Sequence, residues 1–451
     1  MHLLVIGMDE IVINKYMPLI ESRIHSGDLN GYSIIDLESQ KRNISNSIDS
    51  LSIKPSLEFF FSDDEFTVQN NFFNEDLTAT AINQITALYG ELKVYIATEV
   101  RAHEGYLLYC IQNDIQTLTE KPLIAPFSSG RFDCTGLKYN YKELIDTISK
   151  FSSPERHSVM TLSRYHEIYN FNALNSIRDL MINNDAPISS LHFRHAGGVH
   201  NRLREYSERE DHPYKYGYGM VMHGGYHYLD LVTQFLELNK LLIDEELELA
   251  VRSFSAHPID QSARIAKSSS KAVNDEEPLI DESLNEMGET DIVCSYKLMK
   301  KKSRKIVTIG TVSLEQTTPS IRTWGDFPEG QYNKNGRTSS VDVEVQLSVL
   351  HSMNIKCYDV PVLQGKNIDR IDARADILQR SNCEITKHKS PVTLDTYTGL
   401  FHSDSNKSLM NHWLEGKEHL STIGKHKNVN LFSYAMLESA NNDGKEVRFT
   451  L

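Results

Sequence analysis

Cysteine is scarce in this 451-residue chain, and its five cysteines are scattered. No two of them are separated by two residues, so we expect neither a disulfide framework nor a zinc knuckle, but reduced thiols in a cytoplasmic protein.

Long apolar runs are also missing. No stretch approaches the roughly 18 residues that a membrane span needs, and the apolar start of the chain is too short for a signal peptide. We therefore expect no membrane insertion and no export.

Positive charge is the second shortage, with 47 Lys and Arg against 61 Asp and Glu and a net charge of -14. This excess of negative charge repels a polyanion, so the composition argues against nucleic acid as the main ligand and favours a small molecule. At about 100 to 200 residues per domain, the length predicts two to three domains, each able to bury its own core.

The first third of the chain alternates β-rich runs with helical stretches, which predicts a parallel sheet with crossover helices. The predicted strands are residues 2–6, 32–35, 57–61, 93–97 and 116–119. Between the first two strands, residues 11–24 carry apolar side chains at a period close to 3.6, which predicts a helix that packs on the sheet. A second helix is predicted over 104–111.

Beyond about residue 165, strand-like runs follow one another with few helices between them, which predicts a second domain with a mostly antiparallel sheet. These runs are residues 189–194, 291–298, 306–315, 341–349 and 355–360. The polar segment 266–289 is predicted to be an exposed loop or a mobile insertion. The basic cluster at 300–305 lies between two strand-like runs, which predicts the tip of a hairpin.

The turn after the first predicted strand, Gly7 to Val12, resembles a dinucleotide-binding turn but has only the first of its usual three glycines. Glycine lets backbone amides approach a pyrophosphate closely, whereas Asp9 and Glu10 place two carboxylates there. Taken alone, the turn is weak evidence for a dinucleotide site.

The second predicted strand ends in Asp36, where an acid can accept hydrogen bonds from the ribose hydroxyls of an adenosine. The charge of Asp36 disfavours the 2'-phosphate of NADP, whereas Lys41 and Arg42 favour it, so NAD is slightly preferred over NADP. The alternative for Asp36 is a cap on the next helix.

Two further motifs carry a family resemblance. His103 is followed, one helix later, by Thr119-Glu120-Lys121-Pro122, and about a hundred residues on comes the segment Gly225-x-His227-x-x-Asp230. In this order and setting, the motifs resemble the Gfo/Idh/MocA family of NAD(P)-dependent oxidoreductases. The resemblance covers most of the chain, except for expected insertions near 126–142, 196–216, 258–290 and 363–395.

The resemblance implies an α/β fold with a Rossmann-like dinucleotide-binding domain over 1–165. It also implies a substrate-binding and oligomerisation α/β domain over 166–451, with an open, mostly antiparallel sheet and with the last helix, 429–440, and strand, 446–451, packing back. It further implies a homo-oligomer, a cis Lys121–Pro122 bond, and a sugar, cyclitol or related polyhydroxylated substrate. The cofactor-binding residues that we expect are Gly7, Asp9, Asp36, Thr98, His103, Glu120 and Lys121.

The expected catalytic residues are Lys121, His227 and His223. Hydride transfer from a carbinol carbon needs a group that accepts the hydroxyl proton, and His227 is suited to this because histidine titrates near neutral pH. Lys121 can stabilise the developing alkoxide charge. His223 stands where the family has an aspartate and supplies no fixed negative charge, so it either transfers the proton itself or fills space in an enzyme that works mainly as a reductase.

Two alternatives remain open. A catalytically weakened sensor or scaffold would explain the glycine-poor turn and the missing aspartate. A metal-dependent hydrolase is suggested by the histidines between His192 and His227, but the metalloprotease signature is absent and we assign no metal ligand. The arginines among these histidines also suggest a lining for an acidic or phosphorylated substrate.

Overall fold

The computed structural model describes residues 1–67, 71–210, 212–272, 282–324, 336–387 and 389–451. The chain divides into an N-terminal unit, residues 1–165 with 402–430, and a C-terminal unit, residues 166–401 with 431–451. Within the described ranges, no helix has the length and apolar character needed to cross a membrane.

The strands of the N-terminal unit are β1 (His2–Ile6), β2 (Tyr32–Leu37), β3 (Glu58–Phe61), β4 (Leu92–Ile96), β5 (Gln116–Thr119), β6 (Phe127–Ser128), β7 (Arg131–Phe132) and β8 (His157–Val159). Those of the C-terminal unit are β9 (Ile188–Ala196), β10 (Leu247–Ala256), β11 (Asp291–Lys300), β12 (Ile306–Glu315), β13 (Ser340–Leu347), β14 (His351–Gln364), β15 (Asn367–Ser381), β16 (Val392–Thr398) and β17 (Val447–Thr450).

The α-helices are α1 (Met17–His25), α2 (Lys41–Ile48), α3 (Glu75–Tyr89), α4 (His103–Gln112), α5 (Gly136–Phe151), α6 (Asn175–Asn184), α7 (Leu203–Glu208), α8 (Tyr226–Glu237), α9 (Gln261–Arg264), α10 (Lys267–Ala272), α11 (Cys383–Thr386), α12 (His402–Leu414) and α13 (Lys427–Asn441). Three π-helical segments, in which hydrogen bonds span one residue more than in an α-helix, are Val12–Tyr16, Glu167–Leu174 and Val221–Gly225.

Six strands of the N-terminal unit form a parallel sheet in the order β3-β2-β1-β4-β5-β8. All five residues of β1 and of β4 are buried, as is usual for central strands of a parallel sheet covered on both faces. The strand order reverses between β1 and β4, and ligands of open parallel sheets bind at the carboxyl ends of the strands at such a point. The predicted Rossmann-like sheet is confirmed, and the helix predicted over 11–24 begins as a π-helical segment.

The C-terminal unit contains a nine-stranded sheet in the order β16-β15-β14-β13-β9-β12-β11-β10-β17. Every neighbouring pair is antiparallel except β9 and β12, which are parallel. The five strand-like runs of the second domain all lie in this sheet, so the predicted fold class is confirmed. The basic cluster lies at the turn from β11 to β12, as predicted.

Two expectations for the second half of the chain need correction. Residues 363–395, set aside as an insertion, contain β15 and the start of β16. The alternation of apolar Ile371, Ala373, Ala375 and Ile377 with charged residues is a strand pattern, and it was overlooked because the segment lies outside the family resemblance. The segment 266–289 is not wholly an exposed loop, since Leu284, Met287 and Glu289 are buried. Its residues 273–281 lie outside the described ranges.

Residues 402–430, assigned from the sequence to the second domain, belong to the N-terminal unit. Leu409, Met410 and Trp413 of α12 are part of the N-terminal apolar core. The Lys93 ammonium group donates a 2.5 Å hydrogen bond to the main-chain carbonyl of Trp413. Burial lowers the pKa of Lys93 to about 8. Helical periodicity indicates which face of α12 is buried but not which unit covers it, so the sequence alone misplaced this segment.

The two tryptophans of the chain provide a direct test of this placement. Trp413 is 2% exposed and Trp324 is 49% exposed. We expect Trp413→Ala to lower the free energy of unfolding by about 3 to 5 kcal/mol, because it leaves a large cavity in the N-terminal core. Trp324→Ala, the matched control, should change it by less than about 0.5 kcal/mol. Urea unfolding followed by circular dichroism measures both, and equal effects would contradict the core position of α12.

Candidate functional site

Gly7 forms a close contact between the turn after β1 and the end of β4. Its φ is +86°, and a Cβ atom there would lie 2.7 Å from the carbonyl carbon and oxygen of Ala97 and from the amide nitrogen of Thr98. Only glycine meets both conditions without strain. The first glycine of the turn is therefore required by the packing of the sheet itself.

Asp36 joins the end of β2 to this turn. One carboxylate oxygen accepts a 2.7 Å hydrogen bond from the Met8 amide, and the other accepts one of 2.7 Å from the Leu37 amide. Burial raises the pKa of Asp36, and the two amides oppose that rise. The alternative role is not seen, since the amides that donate to the Asp36 carboxylate are those of Met8 and Leu37, which precede the 3-10 turn Glu38–Gln40 and α2.

Asp9 begins the helical segment that follows the turn. Its Oδ1 accepts a 2.8 Å hydrogen bond from the Val12 amide, and its main-chain carbonyl accepts one from the Ile13 amide. The residue is exposed, so water reaches its side chain, and its carboxyl group is only partly withdrawn from solvent. Loss of hydration raises the pKa of Asp9 to about 6, and the neighbouring carboxylates of Glu120 and Asp36 add to the rise. Asp9 is thus a helix cap inside an acidic cluster.

Glu120, at the end of β5, is held by two buried phenols. Its Oε1 accepts hydrogen bonds from the Tyr95 hydroxyl at 2.8 Å and the Tyr16 hydroxyl at 3.3 Å. Asn406 of α12 donates in turn to the Tyr16 hydroxyl at 3.3 Å. Burial and the charge of Glu120 both raise the pKa of the two tyrosines well above the ordinary value. Lys121 follows directly on this anchored residue, and its peptide bond to Pro122 is cis.

His103 is fully buried, so it has no surface for direct contact with a cofactor. Its Nδ1 lies 2.9 Å from the Pro122 carbonyl oxygen and its Nε2 lies 3.1 Å from that of Thr98. Carbonyl oxygens only accept, so the ring satisfies both only when both nitrogens carry protons. Burial nevertheless lowers the pKa of His103. The imidazole connects the ends of β4 and β5 and supports the loop that carries Lys121.

Thr98 lies beside Gly7, at the point where the strand order reverses. Its hydroxyl oxygen is buried and has no hydrogen-bond partner among the described residues. A buried hydroxyl without a partner is costly, so this oxygen marks a place where a bound polar molecule would be stabilised.

In the C-terminal unit, the segment that carries His223 and His227 is helical, although it contains Gly224 and Gly225, which have a low helix propensity. The π-helical segment Val221–Gly225 runs directly into α8. A Cβ atom on Gly225 would lie 2.6 Å from Cδ1 of Leu314 and 2.7 Å from the Met220 carbonyl oxygen. The glycine permits a close approach to β12, and this packing outweighs its low helix propensity.

The two histidines are both buried, with 6% and 8% of their surfaces exposed. His223 Nε2 lies 2.9 Å from the Tyr218 carbonyl oxygen and must carry the proton of that hydrogen bond. The His223 ring packs against His212 and Tyr214, with centroid distances of 4.7 and 5.0 Å. His223 is thus held by the main chain and by aromatic rings, while His227 lies one turn further along, in α8.

Glu289 is a candidate site residue that sequence reasoning missed. Its Oε1 accepts a 2.8 Å hydrogen bond from the Val221 amide, and its main-chain carbonyl accepts one of 2.8 Å from the Met220 amide. A carboxyl group therefore caps the helical segment that carries His223. Burial raises the pKa of Glu289 to about 7. No local motif indicates this residue, because it lies in the polar segment between α8 and β11.

The histidine- and arginine-rich stretch does not form a single cationic lining. His192 bonds to Thr311, and Arg194 forms ion pairs with Glu315 and Asp342. A separate depression of about 430 Å³ is lined by three carboxylates and four guanidinium groups, those of Glu205, Glu208, Glu210, Arg202, Arg204, Arg209 and Arg322. Among the described residues, no group of three or more His, Cys, Asp or Glu side chains is arranged to hold a metal ion.

Glu289 gives a testable pH dependence. A carboxyl group whose pKa is raised on folding stabilises the fold in acid, and that contribution is lost as the pH rises from about 4.5 to about 7. Glu289→Gln retains an acceptor for the Val221 amide and does not ionise. Relative to wild type, its free energy of unfolding should increase by about 3 kcal/mol between acidic and mildly alkaline pH. Urea unfolding across this range measures the change.

The exposed Glu286 provides the control, because Glu286→Gln should show no such relative increase. If the difference in the free energy of unfolding between Glu289→Gln and wild type does not change with pH, Glu289 is not a buried neutral carboxyl group at the start of the segment that carries His223.

Comparison with known proteins gave structural matches only. No protein-family model matches the chain, and no curated protein sequence matches it. An oxidoreductase from Agrobacterium radiobacter, in complex with NAD+, L-tartaric acid and magnesium, is 13% identical with a TM-score of 0.52, and the match covers 99% of this chain and 97% of that one.

Two other matches are similar in extent. The WlbA dehydrogenase of Bordetella pertussis, in complex with NADH and UDP-GlcNAcA, is 11% identical with a TM-score of 0.52, and 100% and 98% of the two chains are covered. The aldose-aldose oxidoreductase of Caulobacter crescentus, complexed with glycerol, is 11% identical with a TM-score of 0.55, and 100% and 99% are covered. Over its whole length, the chain therefore has the two-domain fold of these oxidoreductases, in agreement with the resemblance seen in its sequence motifs.

Proposed function

We propose that the chain is an NAD-dependent oxidoreductase that transfers a hydride between a nicotinamide cofactor and a CH–OH group of a sugar, cyclitol or related polyhydroxylated metabolite. The observation that carries the proposal is the arrangement of residues at the carboxyl ends of the parallel strands. Gly7, Asp36 and Thr98 follow or end β1, β2 and β4, and Glu120 and Lys121 follow β5. This is the edge at which open α/β sheets bind dinucleotides.

The residues at this edge fit most parts of a dinucleotide. Asp36 has acceptor capacity left for the ribose hydroxyls, because each of its oxygens accepts only one of the amides described above. The Thr98 hydroxyl offers a buried polar partner. Asp9 is the exception, since its negative charge and its hydrogen bonds with the helix oppose a pyrophosphate. When bound, the nicotinamide ring accepts or donates the hydride.

Each catalytic residue receives a role from its chemistry. We assign Lys121 to stabilise charge on the substrate oxygen, since Glu120 and its two tyrosines hold the preceding residue in place. His227 is assigned the transfer of the hydroxyl proton. His223 is a positioning residue, because its Nε2 is engaged by the Tyr218 carbonyl. In this assignment the base is His227, and the residue at position 223 does not transfer the proton.

The substrate and the assembly are further parts of the proposal. Two of the similar proteins hold L-tartaric acid or UDP-GlcNAcA, which supports an acidic substrate as one possibility alongside a neutral polyol. A phosphorylated substrate belongs to the same class, because guanidinium groups bind phosphates and carboxylates alike. A homo-oligomer is proposed on the family resemblance.

A turnover assay tests the function. We expect the absorbance of reduced nicotinamide to change when the protein is mixed with NAD or NADH and a panel of sugars, cyclitols and their acids. Lys121→Met, which removes the ammonium group, should lower kcat by a factor of roughly 10² to 10³. Lys150→Met, on the exposed end of α5, is the matched control and should leave kcat unchanged. Dinucleotide binding without turnover would instead favour the sensor or scaffold.

Cofactor preference gives a second test. We expect NADH to bind more tightly than NADPH, because the Asp36 carboxylate repels a 2'-phosphate. Asp36→Asn keeps an acceptor for the Met8 amide but removes the charge, and it should narrow or reverse the ratio of the two dissociation constants. Fluorescence titration with each dinucleotide measures the ratio. A native preference for NADPH would contradict the role given to Asp36 and would point to Lys41 or Arg42.

A further inference from the structure

The amides of the turn after β1 are already engaged by the protein. The Gly7 amide donates to the Ile35 carbonyl at 2.9 Å, and the Met8 amide donates to Asp36. The Val12 amide donates a 2.8 Å hydrogen bond to the Asp9 carboxylate, and the nearby Ile11 amide also lowers the pKa of Asp9. A pyrophosphate at a dinucleotide site binds to amides of such a turn and to the N-terminal end of the helix behind it. In this chain those donors face a carboxylate that comes from the turn itself.

The position of Asp9 makes the competition direct. It stands two residues after Gly7, where a dinucleotide turn has its second glycine and the backbone approaches the pyrophosphate most closely. The helical stretch that it caps runs from residue 10 to residue 25, so its N-terminal end carries a substantial positive potential. One carboxylate and one pyrophosphate cannot both occupy that end, because their charges have the same sign.

The charged groups around Asp9 increase the conflict. Glu120 on the β5 side and Asp36 on the β2 side both act on its carboxyl group as negative charges. Cations of this region include Lys121, which follows Glu120, and Lys15, which interacts with Glu120 and with Asp404 of α12 and is repelled by Lys407. The groups that face Asp9 therefore favour its neutral form, while the amides of Ile11 and Val12 favour the charged form.

We propose that Asp9 is the residue that controls dinucleotide affinity, because its carboxylate occupies the helix amides that a pyrophosphate needs. This inference rests on the proposed function. Binding then requires Asp9 either to take up a proton or to release those amides, so affinity is coupled to the protonation of one identified side chain. With Asp9 protonated, one negative charge is gone and its hold on the amides is weaker.

The test is the dissociation constant of NADH as a function of pH, measured by fluorescence titration on the full chain. Since the pKa of Asp9 in the free protein is about 6, the dissociation constant should rise by up to roughly tenfold per pH unit above that value. Asp9→Asn should abolish this slope and should bind NADH more tightly than wild type in mildly alkaline buffer. Asparagine caps helices about as well as aspartate, so the variant is expected to fold.

Glu10→Gln is the matched control, because it removes one negative charge from the adjacent, exposed residue. This variant should keep the wild-type pH slope, whereas a general charge effect would flatten it. Asp9→Ser, which also caps a helix, provides a second uncharged variant and should behave like Asp9→Asn.

The outcomes separate the inference from the function on which it rests. If NADH binds to wild type with a pH-independent constant, or binds more weakly to Asp9→Asn and Asp9→Ser, Asp9 does not control the affinity and the inference is wrong. If neither wild type nor the two uncharged variants binds NADH at any pH while all three unfold normally, the dinucleotide site and the proposed function fail.

Discussion

Carboxyl groups that are partly or fully withdrawn from water need hydrogen-bond donors, and this constraint organises the candidate sites of both units. Removing a carboxylate from water without donors costs far more than any single contact returns, so each acid at a strand end or helix start must find them locally. Asp36 uses the amides of Met8 and Leu37, and Asp9 uses those at the start of the first helix. Glu120 instead uses two tyrosine hydroxyls. Each acid in this way fixes the backbone beside it.

The same constraint operates beside His223 in the C-terminal unit. His223 lacks a fixed charge, but the helical segment that carries it begins at the carboxyl group of Glu289, which is distant in sequence. A carboxyl group near the start of a helix complements the positive end of the helix dipole when it is charged. The unit therefore contains an acid next to the segment that carries His223, although residue 223 itself is not an acid.

In the N-terminal unit, acids at the nucleotide edge have opposite consequences for a dinucleotide. In the proposed dinucleotide site, Asp36 would bind a ribose and disfavour a second phosphate, whereas Asp9 would oppose the pyrophosphate, because its carboxylate already accepts the Val12 amide. A glycine at position 9 would leave the helix amides open to the ligand. In our proposal, the aspartate that caps the helix also sets the dinucleotide affinity through its charge. The fold alone does not provide this dependence of affinity on one side chain.

The sequence by itself determined the elements and the fold class. A central parallel strand such as residues 2–6 forms a short apolar run in the sequence because both faces are buried, and the order of the motifs indicated a family resemblance. The alternation in β15 was present in the sequence but was assigned to an insertion. The place of α12 was not determined, because periodicity does not identify the partner of an apolar face. Only the tertiary structure showed that His103 is enclosed between two carbonyls, that Gly225 lies within a helix, and that Glu289 caps it. Those features depend on residues that are far apart along the chain, and local sequence patterns carry no information about such contacts.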